Sequence, residues 1–285
     1  MPADGTGAGR TTDLVHHRIS PDPLPLGVRL RELFGARDLF VILLGRELRV
    51  RYKQTALGVI WIILQPLVPA MILAVVFGSF ARLPSADAPY LLFALSGLVL
   101  YGLFSSTVSR AGSSLIRDGG LITKIYFPRA LLPLASGSAG IVDFLVGLAV
   151  ILILMVVLGY VPTATVVVIP LIVALTLALA LGLGMAVSAL SAHYRDFGLV
   201  VPFVLQLLLY ASPVVYSMEI LPDTLANLLA LNPLVPLLEA FRWSLLGTPA
   251  PTADQILLGS ASGLVMATAG LLVFSRASRD MADVI

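Results

Sequence analysis

Six long apolar stretches interrupt an otherwise polar chain, at about 57–81, 90–109, 131–158, 164–191, 198–216 and 256–275. A helix rising about 1.5 Å per residue needs about 20 apolar residues to cross the hydrocarbon core of a bilayer. The pattern therefore predicts an all-α integral membrane protein with six transmembrane helices, contained within residues 55–278. The second and fifth stretches sit near the lower length limit, and the third and fourth are long enough to tilt. Only one acidic residue, Asp143, falls inside the six.

The intervening segments have patterns of their own. Residues 1–25, rich in Gly, Pro, Thr and Asp and lacking helical periodicity, read as a disordered cytoplasmic tail. In residues 26–54, Leu30, Leu33, Phe34, Leu39, Phe40, Leu43, Leu44 and Leu48 alternate with Arg31, Arg37, Arg46, Arg49 and Arg51, which suits an amphipathic helix at the membrane interface. The rival, a further crossing here, would place five arginines in hydrocarbon. From Ser217 to Gln255 the chain is strongly apolar but broken at Asn232-Pro233 and at Pro236, predicting short re-entrant outer helices before the last span. A compact outer cap without a transport role is the other reading of that segment. Residues 279–285 read as a cytoplasmic tail.

Composition sharpens the picture. Hydrophobic residues make up 58% of the chain and charged ones 12%, against roughly 25% charged in an average soluble domain, so a bilayer is the natural solvent. With the N-terminus inside, the inner segments hold Arg10, Arg18, Arg29, Arg31, Arg37, Arg46, Arg49, Arg51, Lys53, Arg110, Arg117, Lys124, Arg129, Arg195, Arg276 and Arg279, and the outer ones hold only Arg82 and Arg242. This asymmetry predicts cytoplasmic N- and C-termini. A net charge of +2 gives no nucleic-acid footprint. With no cysteine and three histidines no metal site is expected. A polar stretch of some 55 residues precedes the first long apolar run, so no cleaved leader is expected.

Chemistry of its own is not legible in this chain. Lys53 follows Arg51-Tyr52 and Lys124 follows Leu121-Ile122-Thr123, so neither lysine closes a phosphate-binding loop. Nor does any cluster of His, Asp and Ser or of paired carboxylates suggest catalysis, and Glu219 with Asp223 reads as a solvated pair. The chain is expected to be no enzyme, with any nucleotide hydrolysis lying elsewhere.

Three stretches, RVRYKQTALGVIWIILQPL (49–67), LITKIYFPRALLPL (121–134) and SAHYRDFGLVVPFVLQLLLYASPVVY (191–216), resemble the permease subunits of type-two ABC exporters of the polysaccharide, O-antigen and teichoic acid export family. NPLVPLLEAFRWSLLG (232–247) and the final ADVI resemble the same family, and the likeness runs from about residue 35 to the C-terminus. Arg117-Asp118-Gly119-Gly120 departs from it, standing where relatives often carry an Asn. The resemblance implies a multi-pass permease of the bacterial cytoplasmic membrane, working as a homodimer with two copies of a separate ATPase that uses ATP and Mg. It would move a lipid-linked glycan outward. An ion-coupled carrier without an ATPase is the alternative, disfavoured by the single buried carboxylate and the absence of an evident internal repeat. A non-transporting scaffold is a third reading.

Several residues then become candidates. Arg117, Leu121, Ile122, Lys124, Tyr126, Phe127 and Arg129 form an amphipathic piece ended by Pro128, which the resemblance makes the ATPase-coupling helix. Anchoring of the same cations to anionic headgroups is the other reading. Tyr194, Arg195 and Asp196 occupy a tight inner turn, suited to coupling or to capping helix ends. Arg46, Arg49, Arg51 and Lys53 mark the interface helix. Tyr90, Phe93, Tyr101, Phe104, Tyr210 and Tyr216 are candidates for a path along which sugar rings stack, or for packing and interface anchoring. Asp143 is either a functional intramembrane acid or a packing group. Gly259 and Gly263 permit close helix approach.

Overall fold

A computed structural model describes residues 35–52, 59–85, 88–122, 127–162, 164–194 and 196–277. The described residues are helical throughout, without a strand: α1 Arg37–Tyr52; α2 Val59–Leu73, continued by a π-helical turn Ala74–Phe80; α3 Tyr90–Arg117; α4 Gly119–Ile122; α5 Leu131–Ser138; α6 Gly140–Val157; α7 Ile169–His193, entered through the 3-10 turn Ala164–Val168; α8 Phe197–Tyr210; α9 Asp223–Leu229; α10 Leu234–Leu246; and α11 Ala253–Ala277. Local chemistry sets these limits. Pro89 precedes α3, Pro170 opens α7 where its missing N–H costs nothing, and Gly247 ends α10 at φ 69° with its N–H bonded to the Trp243 carbonyl.

Among the described residues, five stretches are long and apolar enough to cross a membrane: Ile60–Phe80, Tyr90–Arg117, Leu131–Val157, Ala164–His193 and Ala253–Ala277. The fifth expected span, 198–216, differs. Its helix, α8, has 14 residues, roughly 21 Å at about 1.5 Å each, and gives way after Tyr210 to a run of turns. As Asn232-Pro233 predicts, the segment expected to lie outside contains two short helices broken there, with Asn232 Oδ1 accepting from the Leu234 N–H at the start of α10. The tails at 1–25 and 279–285 lie outside the described residues.

The hub is α3. It packs most extensively on α7 and also meets α2, α5, α6, α8 and α10, while α7 carries α11 on its other side. Small residues make those crossings possible: a Cβ at Gly270 or Gly182 would collide with the backbone of the facing helix. Gly259 packs against Pro236 of α10, so one half of the expected Gly259–Gly263 pair serves a contact within the chain. A second cluster, at the end expected to face inward, gathers Leu43 of α1, Leu115, Phe127, Leu131, Met185 and Phe274. In contrast to buried α3, α8 turns Leu199, Phe203 and Leu207 outward, an apolar face that suits lipid or another apolar protein surface.

Candidate functional site

Between α2, α3, α6 and α8 lies a cavity of about 460 Å³. Its walls mix apolar side chains with Gln65 of α2, Tyr101, Ser105 and Ser106 of α3, and a charged group made of Arg51, Arg110 and Asp143. A second hollow of about 320 Å³ shares Tyr101, Ser105 and Ser106 and adds Ser109 and Gln206. Spacing explains the wall, because positions 101, 105, 106 and 109 recur every three to four residues along one face of α3. A lane of hydroxyls and amides thus runs along an otherwise apolar bundle.

The charged group forms where three helix ends meet. Arg51 lies in the last turn of α1, Arg110 two turns before the end of α3, and Asp143 in the first turn of α6. Both guanidinium groups converge on the same carboxylate oxygen, Arg51 at 2.8 Å and Arg110 at 3.1 Å from Asp143 Oδ2. Side-chain exposures of 27%, 20% and 20% keep all three partly open. The acid expected at depth is therefore an ion-paired group lining a cavity, and α1 supplies one of its partners.

The opposite end, expected to face outward, is organised by a residue that sequence reasoning counted only as an outer charge. Arg242 on α10 is 3% exposed and lies over the Phe93 ring, its guanidinium carbon 3.7 Å from the centroid. It donates to the carbonyls of Phe93, Pro213 and Val214. Tyr90 donates to the next carbonyl, Val215, and Asn232 Nδ2 to Ser212 Oγ at 2.9 Å. Non-helical backbone inside a membrane protein must find its hydrogen bonds in protein, and side chains provide them for the turns after α8. The available signal was an arginine within the strongly apolar run LLEAFRWSLL.

At the inner end, Glu47 accepts from Arg117 at 2.7 Å, Arg46 reaches Asp118 at 2.7 Å, and Arg117 also donates to Ser136 at 3.0 Å. These contacts tie α1 to the end of α3 and to α5. Of the expected coupling residues, Arg117 is thus engaged within the chain, Phe127 is buried in the inner cluster, and Leu121 packs against it. Tyr194 is exposed and tilts against Phe197, and exposed Asp196 stands at the start of α8 without a side-chain capping bond. Arg129 lies in the turn before α5, and Arg49 bonds the Gly45 carbonyl on the exposed side of α1. Lys53, Lys124, Tyr126, Arg195 and the Ile122 side chain lie outside the described residues.

The six aromatic candidates separate. Tyr101 lines both hollows while its hydroxyl donates to the Leu205 carbonyl of α8. Phe104 is buried in the core, and Tyr90 and Phe93 belong to the Arg242 assembly. Tyr210 is exposed, and its carbonyl accepts from the Tyr216 hydroxyl at 3.2 Å. Among the described residues no group of His, Cys, Asp and Glu could hold a metal ion.

The family model of the ABC-2 type transporter matches residues 38–246. Among curated proteins, the O-antigen export system permease protein RfbA of Myxococcus xanthus is 29% identical over 256 residues, covering 89% of this chain and 98% of that protein. The protein of the same name from Klebsiella pneumoniae is 27% identical over 249 residues, 87% of this chain and 95% of its own length. The polysialic acid transport protein KpsM of Escherichia coli is 25% identical over 202 residues, 69% of this chain and 77% of that protein.

Proposed function

Because the chain belongs to the ABC-2 type transporter family, we propose that it is the membrane permease of an ATP-driven exporter that carries a lipid-linked polysaccharide outward across the bacterial cytoplasmic membrane. It acts as a homodimer with two copies of a separate ATPase. The observation that carries this reading is the polar lane of Tyr101, Ser105, Ser106, Ser109, Gln65 and Gln206 inside an apolar bundle, beside an α8 face left open for a facing wall. Hydroxyls and amides exchange hydrogen bonds with successive sugars at similar energy, and an aromatic ring offers a flat apolar face, so a chain of sugars slides without being held. The names of the relatives, O-antigen and polysialic acid export proteins, support the cargo class.

In this reading α8 and the turns after it together make the sixth crossing, their irregular backbone tolerated because Arg242 and Tyr90 satisfy it. The termini and the α1 arginines then face the cytoplasm. Work from the ATPase enters around residues 117–130 and 194–196, and α1 moves with them through Glu47 and Arg46. An ion-coupled carrier is disfavoured, since Asp143 is already ion-paired with two guanidinium groups.

The test is reconstitution in vesicles with its partner ATPase and an O-antigen-type lipid-linked glycan. Translocation should require ATP and both subunits. A Gly102→Phe variant sharpens it: Gly102 lines the cavity with nothing within 4 Å of a Cβ placed there, so the ring should narrow the lane without disturbing the fold. Export should fall at least about tenfold with unchanged thermal unfolding, since a helix tolerates Phe better than Gly. Export by the chain alone, or undiminished export by the variant, would count against the proposal.

A further inference from the structure

Among the described residues lining the larger cavity, Arg51 and Arg110 bring two positive charges and Asp143 one negative. A net positive charge in a partly dehydrated site beside hydrocarbon is costly unless an anion joins it. Both guanidinium groups reach the same carboxylate oxygen, Asp143 Oδ2, at 2.8 and 3.1 Å, and each is a planar fork suited to bidentate binding of an oxyanion. A phosphate, with more oxygens and up to two charges, matches the pair better than Asp143 does.

We propose that Arg51 and Arg110 are the seat of a lipid phosphate or diphosphate headgroup, with the Asp143 carboxylate holding the seat until the phosphate displaces it. The inference rests on the exporter reading and names the part of the cargo that this site recognises. Three observations place the headgroup here. Arg51 belongs to the interface helix, which also leaves Val41, Ile42 and Val50 exposed, so the seat lies where a lipid presents its phosphate. Gln65, Ser105 and Ser106 continue the wall beyond the charges, where the first sugars would follow. The three side chains keep roughly a fifth to a quarter of their surface open, unlike Arg242, whose 3% exposure and backbone acceptors leave no room for exchange. No covalent step is involved, as one anion replaces another around the same cations.

The experiment measures binding to the purified full chain, with its ATPase, in lipid nanodiscs. The probes are a fluorescent polyprenyl diphosphate without sugar, the corresponding neutral polyprenol, and inorganic pyrophosphate as competitor. The diphosphate lipid should bind at least about tenfold more tightly than the polyprenol, and more tightly than pyrophosphate. Arg110→Gln and Arg51→Gln should each weaken it about tenfold, and Asp143→Asn, which removes the competing anion, should strengthen it severalfold. That opposition of sign is what a merely structural triad would not give. If Arg110→Gln fails to fold, Arg110→Lys carries the test: it keeps the charge, loses the fork, and should weaken binding severalfold at an unchanged unfolding temperature.

Equal binding of polyprenol and diphosphate, wild-type affinity in Arg110→Gln or Arg110→Lys, or weaker binding in Asp143→Asn would overturn the seat. Pyrophosphate binding as tightly as the lipid would overturn the headgroup assignment in favour of a free anion. Because the probe carries no sugar, the outcome separates from transport. Headgroup binding that follows Arg110 in a protein that exports no glycan would sink the exporter reading and leave the seat standing. Export with headgroup binding indifferent to these residues would do the reverse.

Discussion

Arginine does opposite work at the two ends of this molecule. At the outer end, Arg242 is sealed in, and its acceptors are main-chain carbonyls that cannot move away without unfolding the turns after α8. At the inner end, Arg51 and Arg110 meet the Asp143 side-chain carboxylate at the edge of a cavity, an acceptor that, unlike a main-chain carbonyl, can turn about its own side-chain torsions. Burial and the identity of the acceptor decide the difference. A guanidinium bonded to fixed backbone is a strut, whereas one bonded to a side-chain anion beside a cavity can exchange that partner. The same contrast separates α3, which is buried on nearly every face, from α8, which turns large apolar side chains outward.

The strongest way to break the comparison is Arg242→Met. Three carbonyls lose their donor together and the methionine restores only the apolar packing over Phe93, so the folded state should lose roughly 3–5 kcal/mol. Thermal unfolding in detergent would read this as loss of the cooperative transition or a fall of many degrees. A transition near that of the parent would show that the outer turns do not depend on this residue. Asn232→Ala should cost less, about 1–2 kcal/mol, because it removes one cap to Leu234 and one bond to Ser212 while leaving Arg242 in place. If the two substitutions prove equally damaging, the outer end is held by its helix break and not by its arginine.

Much of this architecture follows from hydropathy. The long apolar stretches at 57–81, 90–109, 131–158, 164–191 and 256–275 became helices because a backbone without water has only itself to bond to, and the Asn232-Pro233 break needs only the missing N–H of proline. The short α8 was not legible. An apolar run reads the same whether it continues as helix or turns back under a side chain 30 residues away, and the choice at 211–216 is made by Arg242 and Tyr90. Asp143 was visible as an anomaly, but its partners come from two other helices, and period and spacing carry no information about which helices converge. Phe104 and Tyr101 show the same limit. Three residues apart on α3, one is sealed in the core and the other lines the cavity, a distinction set by which neighbour each meets.

A smaller effect tests whether the inner end is bound together as a movable unit. Glu47 is largely buried and Arg117 nearly half exposed, at 12% and 44%, with 2.7 Å between their charged atoms. Solvent on the arginine side screens such a pair, so its coupling should be about 0.2–1 kcal/mol and should shrink as salt is raised past the point where the Debye length falls to a few ångströms. The measurement is a double-mutant cycle of Glu47→Gln and Arg117→Gln, read by thermal unfolding at low and high salt. Arg117 has a second partner in Asp118 at 3.4 Å and a third in Ser136, so its single substitution should cost more than that of Glu47, and only the interaction term isolates the tie to α1. Interaction energy near zero at low salt would mean that α1 is held by Leu43 and the inner apolar cluster alone. In that event α1 would ride on α5 through packing, and the ion pairs would not be what carries motion from the end of α3 to the helix that supplies Arg51.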